Sequence, residues 1–497
     1  MATSETAPLD TGFFGHPRGL SVLFFTEMWE RFSYYGMRAL LILFMVAPVA
    51  SGGLGFDTGT AGAIYGLYTS MVYMTTLPGG WIADRLVGPR RAVLYGGILI
   101  ACGHFSMAVP SLSTFYFGLL LIVIGTGLLK GNVSVIVGRL YSADDQRRDA
   151  GFSICYMGIN IGAGLAPLVC GYLGQRVSWH TGFAAAGVGM VLGVIQYLLG
   201  SKHLGDAGLY PADAGSPQKL AAQKKQAATW AAIVVALLAA SAIGLYSGAL
   251  PITATQIADG AGYFLLILTL AFFGWLFFSS GWTPEERNRN YVIAVLFLAS
   301  ALFWSAFEQA GSTLNLFADR DTLNAIGSWD FPSSWYQSLN SAFLIIFAPI
   351  FAWFWIWLGR RRQEPSSPAK FGVSLVLVGA GFAILIPAAL LAQSGVKVSP
   401  MWLVLTYLLH TWGELALSPV GLSAMTKLAP VRIGGLIMGV WFLGSSVGNY
   451  IGGRLGGLYE SWPLTNLFGA VAAFGIVAGL VLLVASKPLR RLSGGVN

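Results

Sequence analysis

Fourteen runs of about twenty or more largely apolar residues follow one another along this chain, parted by short polar segments. A helix needs about 20 such residues to cross the hydrocarbon core of a bilayer. The runs lie at about 20–48, 59–83, 92–109, 114–141, 150–173, 181–200, 228–250, 261–280, 290–318, 334–358, 371–393, 400–428, 433–457 and 464–486. They are apolar around the whole circumference, as helices in lipid must be, and they lack the alternation and shortness of barrel strands. Only 10% of the residues are charged and 55% are hydrophobic. A soluble domain carries about 25% charge, and a disordered chain needs few apolar residues and high charge. Both classes are excluded, and the expected fold class is an all-α membrane protein.

A net charge of +8 could point to nucleic acid, but its placement gives a topological explanation. With both termini in the cytoplasm, 22 of the 29 Lys and Arg residues fall in inward segments. They include Arg85, Arg90, Arg91, Arg147, Arg148, Lys219, Lys224, Lys225 and Arg360 to Arg362. Outward loops hold Arg176, Arg320 and Lys397, and the spans hold Arg31, Arg38, Lys130 and Arg454. This is the positive-inside asymmetry, and an odd number of spans would lose it. No nucleic-acid partner is expected. The expected location is the cell inner membrane, multi-pass, with both termini cytoplasmic. The N-terminal residues lack the charged region and short apolar core of a cleavable signal. Cys102, Cys155 and Cys170 all sit in apolar runs, which argues against a disulfide scaffold.

The longest connection, 201–227, is polar and basic and divides the chain. The expected parts are a cytoplasmic N-terminus (1–19), a six-helix bundle (20–200), the linker (201–227), an inserted helix pair (228–280), a second six-helix bundle (290–486) and a cytoplasmic tail (487–497). The inserted pair holds one charge, Asp259, placed in the turn between its helices, and so reads as lying outside the working core. Twelve core helices in two halves of six remain. A short internal repeat agrees. Phe25-x-x-x-Trp29-Glu30-Arg31 parallels Phe303-x-x-x-Phe307-Glu308-Gln309, and Lys130 with Ser134 parallels Glu414 with Ser418. Related by a two-fold axis along the membrane normal, Lys130 and Glu414 would face each other across a central cavity.

Charges at membrane depth are costly and mark function by default. They are Glu27, Glu30, Arg31, Arg38, Lys130, Glu308 and Glu414. Asp84 and Arg454 lie near span ends, where side chains can snorkel. Four acids face three bases. One carboxylate is therefore left over, which suits a proton carrier; the bland alternative is that these groups are ion pairs fixing the bundle. In the first span, Glu27, Glu30 or Arg31, Tyr34 and Arg38 share a helical stripe.

These residues carry a family resemblance. Glu27-x-x-Glu30-Arg31-Phe32-Ser33-Tyr34-Tyr35-Gly36 resembles the first-helix signature of the proton-dependent oligopeptide transporter (POT) family, a branch of the major facilitator superfamily. Gly80 to Arg91 is similar to the superfamily's loop after the second helix, and Phe152 to Gly162 to the peptide transporter signature in the fifth. Phe303 to Gln309 and Gly413 to Pro419 resemble the seventh and tenth core helices. The resemblance implies the major facilitator fold and a bacterial-type secondary transporter rather than an enzyme. It implies symport of di- and tripeptides into the cell by alternating access, with the proton as coupling ion and no cofactor. By resemblance, Arg38 and Lys130 hold the peptide carboxylate and Glu414 with Ser418 its amino end. Asn160 and Asn340 pair with peptide groups, and Tyr35, Tyr73, Trp304 and Trp441 line side-chain pockets. Glu308, paired with Arg38, and Glu27 and Glu30, close to Lys130 and beside Arg31, are the proton-coupling candidates. A monomer in a lipid bilayer is expected.

One departure stands out. Gly66 occupies the place where some members carry a histidine, which shifts proton handling to carboxylates. His410 lies one turn before Glu414 and reads as a structurally bonded histidine. Gly125-x-Gly127-x-x-Lys130 lacks the order of a phosphate loop and lies in an apolar helix. The five histidines show no metal-ligand spacing. The remaining alternative is another small substrate on the same fold: a modified amino acid, nitrate or a drug. Glu414 argues against nitrate, and a drug antiporter would not need paired charges for both peptide ends.

Overall fold

The computed structural model describes residues 10–142, 144–212 and 217–494. Residues 1–9 of the expected N-terminal segment, 213–216 of the linker, 495–497 of the tail and the side chain of Lys219 lie outside the described residues. The described chain is built of long helices, numbered here α1 to α14. They are α1 (Arg18–Val46), α2 (Thr58–Met74, continued as Thr76–Ile82), α3 (Pro89–Met107), α4 (Leu112–Arg139), α5 (Arg148–Arg176), α6 (Trp179–Gly200) and α7 (Pro217–Tyr246). Then follow α8 (Ala254–Phe278), α9 (Pro284–Phe307, continued through Glu308–Gly311 and Thr313–Arg320), α10 (Ser338–Arg360), α11 (Ser367–Gln393), α12 (Met401–Leu428), α13 (Gly434–Gly456) and α14 (Leu464–Leu492). Nine helices among the described residues are long and apolar enough to cross a membrane by length and composition alone. α1 is outside that set because Glu27, Glu30, Arg31 and Arg38 crowd its middle.

Local chemistry sets the helix ends. Thr283 and Glu286 form a capping box at the start of α9, with Pro284 in the first turn, and Thr253 and Gln256 form another at α8. Each satisfies donors that a helix start leaves unpaired. Pro89 opens α3 after Gly88, whose φ of 85° suits glycine. Prolines 167, 349, 387 and 419 lie inside α5, α10, α11 and α12, where each removes a backbone hydrogen bond.

Several boundaries differ from the sequence reading. α7 begins at Pro217, inside the stretch assigned to the linker, because its Lys- and Gln-rich first turns are good helix formers. Asp259 lies within α8, not in the turn before it, and pairs with Arg454 of α13 at 3.0 Å. The loop after α9 contains a hairpin of two-residue strands, Ala325–Ile326 with Trp329–Asp330.

The helices group into two compact units that cut across the halves assigned from chain order. One comprises Met1–Gly36, Thr75–Ala166 and Phe183–Pro251, and the other Met37–Met74, Pro167–Gly182 and Ile252–Asn497. In the first unit, Leu20, Leu23, Val93, Ile100, Leu129, Ile136 and Met190 form a buried core from α1, α3, α4 and α6. Residues 10–16 are tied down: Arg147 donates to the Asp10 and Gly15 carbonyls, and His16 Nδ1 meets the Tyr141 hydroxyl at 2.9 Å.

In the second unit, α2 meets α13 backbone to backbone. A Cβ on Gly62 would come within 2.6 Å of the Gly453 carbonyl oxygen, and one on Gly453 within 2.3 Å of the Gly66 Cα. Only glycine permits this approach, the small-residue packing common between helices in lipid. Ser70 and Ser446 bridge the same pair at 2.7 Å. Gln175 of α5 accepts from the Ser334 amide and hydroxyl and donates to Ser333. Arg320 pairs with Glu460 at 2.6 Å, and Thr58 donates to the same carboxylate at 3.2 Å.

Candidate functional site

In the first unit the charges sit on α1 and α4. Adjacent Glu30 and Arg31 touch, with Nε to Oε2 at 2.5 Å, and Glu27 lies one turn back, 3.9 Å from the same nitrogen. All three side chains are buried, Glu30 completely. The Arg31 guanidinium lies 5.6 Å from the centre of the Tyr34 ring, which meets Tyr35 edge to face at 5.1 Å. Half-buried Lys130 acts electrostatically on Glu27. Two acids therefore stand with two bases. Asn160, on α5, donates to the Tyr156 carbonyl of its own helix at 2.9 Å.

In the second unit the chemistry gathers where α9 changes pitch. Regular α-helix stops at Phe307, and Glu308–Gly311 forms one 3-10 turn. Arg38 Nη2 reaches Glu308 Oε2 at 2.6 Å and the Glu308 carbonyl oxygen at 3.3 Å. Its Nε donates to the Tyr65 hydroxyl at 2.7 Å. Arg38 and Glu308 side chains are each 5% exposed. A charge-assisted pair so short and dry is strong once formed, and removing one partner leaves a costly bare charge.

Glu414 lies one helix away, on α12. Its Oε2 accepts from Asn340 Nδ2 at 2.9 Å, and the same amide donates to Thr411 Oγ1 at 3.1 Å. The fields of Glu308 and Arg38 both reach Glu414. This carboxylate is thus held by a neutral amide, and the second group has two acids and one base. Trp304 packs against Phe303 and Phe307 at 5.3 and 5.4 Å, and Trp441 lies against Phe371 at 6.4 Å and over Gly421. Ser418 is half-buried one turn past Glu414, and Tyr73 is half-buried on α2.

The structure therefore brings together Arg38 with Glu308, Asn340 with Glu414, and Glu27 and Glu30 with Arg31. It groups Tyr35, Lys130 and Asn160 with the first unit, and Tyr73, Trp304, Ser418 and Trp441 with the second. Sequence reasoning missed Tyr65, which holds Arg38, and Thr411, which shares the Asn340 amide. Each lies in an apolar helix, and no spacing rule marks such partners. His410 is buried with Nε2 3.2 Å from the Val378 carbonyl, a structural contact.

A profile of the POT family matches residues 90–474. The peptide transporter YePEPT of Yersinia enterocolitica is 41% identical over 99% of this chain and 98% of its own. A di-/tripeptide transporter of Lactococcus lactis subsp. cremoris is 37% identical over 98% of each chain. The crystal structure of a peptide transporter of the POT type in complex with sulfate superposes with a TM-score of 0.91, at 43% identity over 97% of both chains.

Proposed function

The chain belongs to the POT family, and from that premise we propose that it carries di- and tripeptides into the cell together with protons. It is a multi-pass membrane transporter of the major facilitator fold, not an enzyme. The observation that carries the proposal is the buried Arg38–Glu308 pair, with Glu414 held by a neutral amide in the same unit.

A peptide zwitterion needs a cation for its carboxylate and an anion for its amine. Arg38 serves the first and Glu414 the second, with Asn340 exchanging its bond to Glu414 for one to the peptide. Amides suit this because they both donate and accept. While Glu308 is ionised it holds the guanidinium. Protonation cancels that attraction and frees Arg38 for the peptide, so peptide and proton load together. Glu27 and Glu30, with Arg31 beside them, form the second proton-coupling group. An inward proton gains about 2.3 kcal/mol per 100 mV, which drives accumulation. The protein works as a monomer in the inner membrane, with both termini cytoplasmic.

The test is uptake of labelled dialanine into proteoliposomes under an inward proton gradient and a negative-inside potential. Accumulation that a protonophore stops is the expected result. Exchange without accumulation overturns the coupling, and no dialanine transport overturns the substrate.

A further inference from the structure

The Arg38–Glu308 pair does not stand alone, because the space around it is shaped on one side by an absent side chain. In a 3-10 turn, residues three apart eclipse one another. Glu308 and Gly311 are so related, and the turn therefore presents a carboxylate and a bare notch in line. A Cβ on Gly311 would lie 1.9 Å from the Tyr65 hydroxyl oxygen, 2.8 Å from Arg38 Nε and 2.9 Å from Tyr65 Cζ. Those are the two groups joined by the 2.7 Å hydrogen bond. Tyr65 is fully buried, so its hydroxyl has no room to retreat toward solvent.

We propose that Gly311 and Tyr65 are positioning residues for the proton-linked step: the notch at Gly311 seats the Tyr65 hydroxyl, which fixes Arg38 Nε and so aims Nη2 at Glu308. An arginine in a fixed fork loses less freedom on each added bond, and Tyr65 supplies that fixation. The inference rests on the proposed coupling by Glu308. Among the described residues, the charged and titratable groups facing the pair include Tyr65 from α2, and Glu414 and Tyr407 from α12.

The experiment is a double-mutant cycle of Gly311→Ala and Tyr65→Phe, read by gradient-driven dialanine uptake across external pH. Overpacking of this kind costs G311A about tenfold in driven uptake, and Y65F, losing one hydrogen bond, costs about threefold. The double variant should recover part of the G311A loss, since the clash with the phenol oxygen is gone while the contacts with Arg38 Nε and the ring carbon remain. G311A should also move the pH of half-maximal driven uptake upward, because a carboxylate whose cation is pulled aside takes a proton more readily. Additive losses, or a pH midpoint that stays put while amplitude falls, would overturn the positioning role. The melting temperature of the purified full chain reads the same cycle without transport. A coupled melting cycle in a protein that carries no dialanine would keep the packing and remove the peptide reading.

Discussion

The two buried charge groups differ in how far apart their members lie in sequence. Glu27, Glu30 and Arg31 belong to one helix, so they stay within reach of one another wherever α1 is intact. Arg38 and Glu308 are 270 positions apart and touch only while α1 and α9 are held together. A contact within a helix can tune charge but cannot report motion. A contact between helices can be made and broken by motion, which is what a latch requires. The charge balance differs in the same sense. Lys130 of α4 gives the first group a second base for its two acids, whereas the second has two acids and one base, with Glu414 held by Asn340.

The largest effect is expected at Glu308. Glu308→Gln should abolish accumulation of dialanine under a proton gradient and leave exchange of labelled for unlabelled peptide measurable. Continued accumulation would put the switch elsewhere. Next comes Glu414→Gln, expected to raise the half-saturating dialanine concentration by about tenfold or more, since a cationic amine loses its half-buried counter-charge. An analogue lacking the amino group should not notice the change, and equal losses for both ligands would remove Glu414 from the amine site.

Glu30→Gln probes the local group. It should lower driven uptake about tenfold without abolishing it, because Glu27 remains beside Arg31. A loss as complete as that of E308Q would erase the contrast between the two groups. The smallest effect concerns Glu460, outside the spans. Its bond from Arg320 holds its carboxyl below the ordinary value of 4.5. A depressed carboxyl stabilises the folded state above 4.5 and loses that contribution as pH falls through its lowered value. The pair is half exposed, so its worth is under about 1 kcal/mol. Melting temperatures of E460Q and the parent should be closer at pH 3 than at pH 7.

Much of the architecture was legible because lipid imposes long apolar runs. The positions of the buried charges were legible for the same reason, since Glu308 and Arg38 stand out in apolar sequence. Boundaries were less so. The run at 201–227 looked like a linker because it is polar, although Pro217 and the Lys and Gln residues after it form a helix. Asp259 was placed in a turn and proved a helical residue paired with Arg454. The Tyr65 hydroxyl and the Gly311 notch were not legible, because a contact between α2 and α9 leaves no period in either sequence. The hairpin at 325–330 was missed since two-residue strands have no pattern to read.

The glycine face between α2 and α13 has an entropic consequence. Side chains frozen in an interface lose rotamer freedom each time it re-forms, up to about 2 kcal/mol apiece for the long ones. Where Gly62, Gly66 and Gly453 meet, there are no rotamers to freeze. A joint made largely of bare backbone closes with little loss of side-chain entropy.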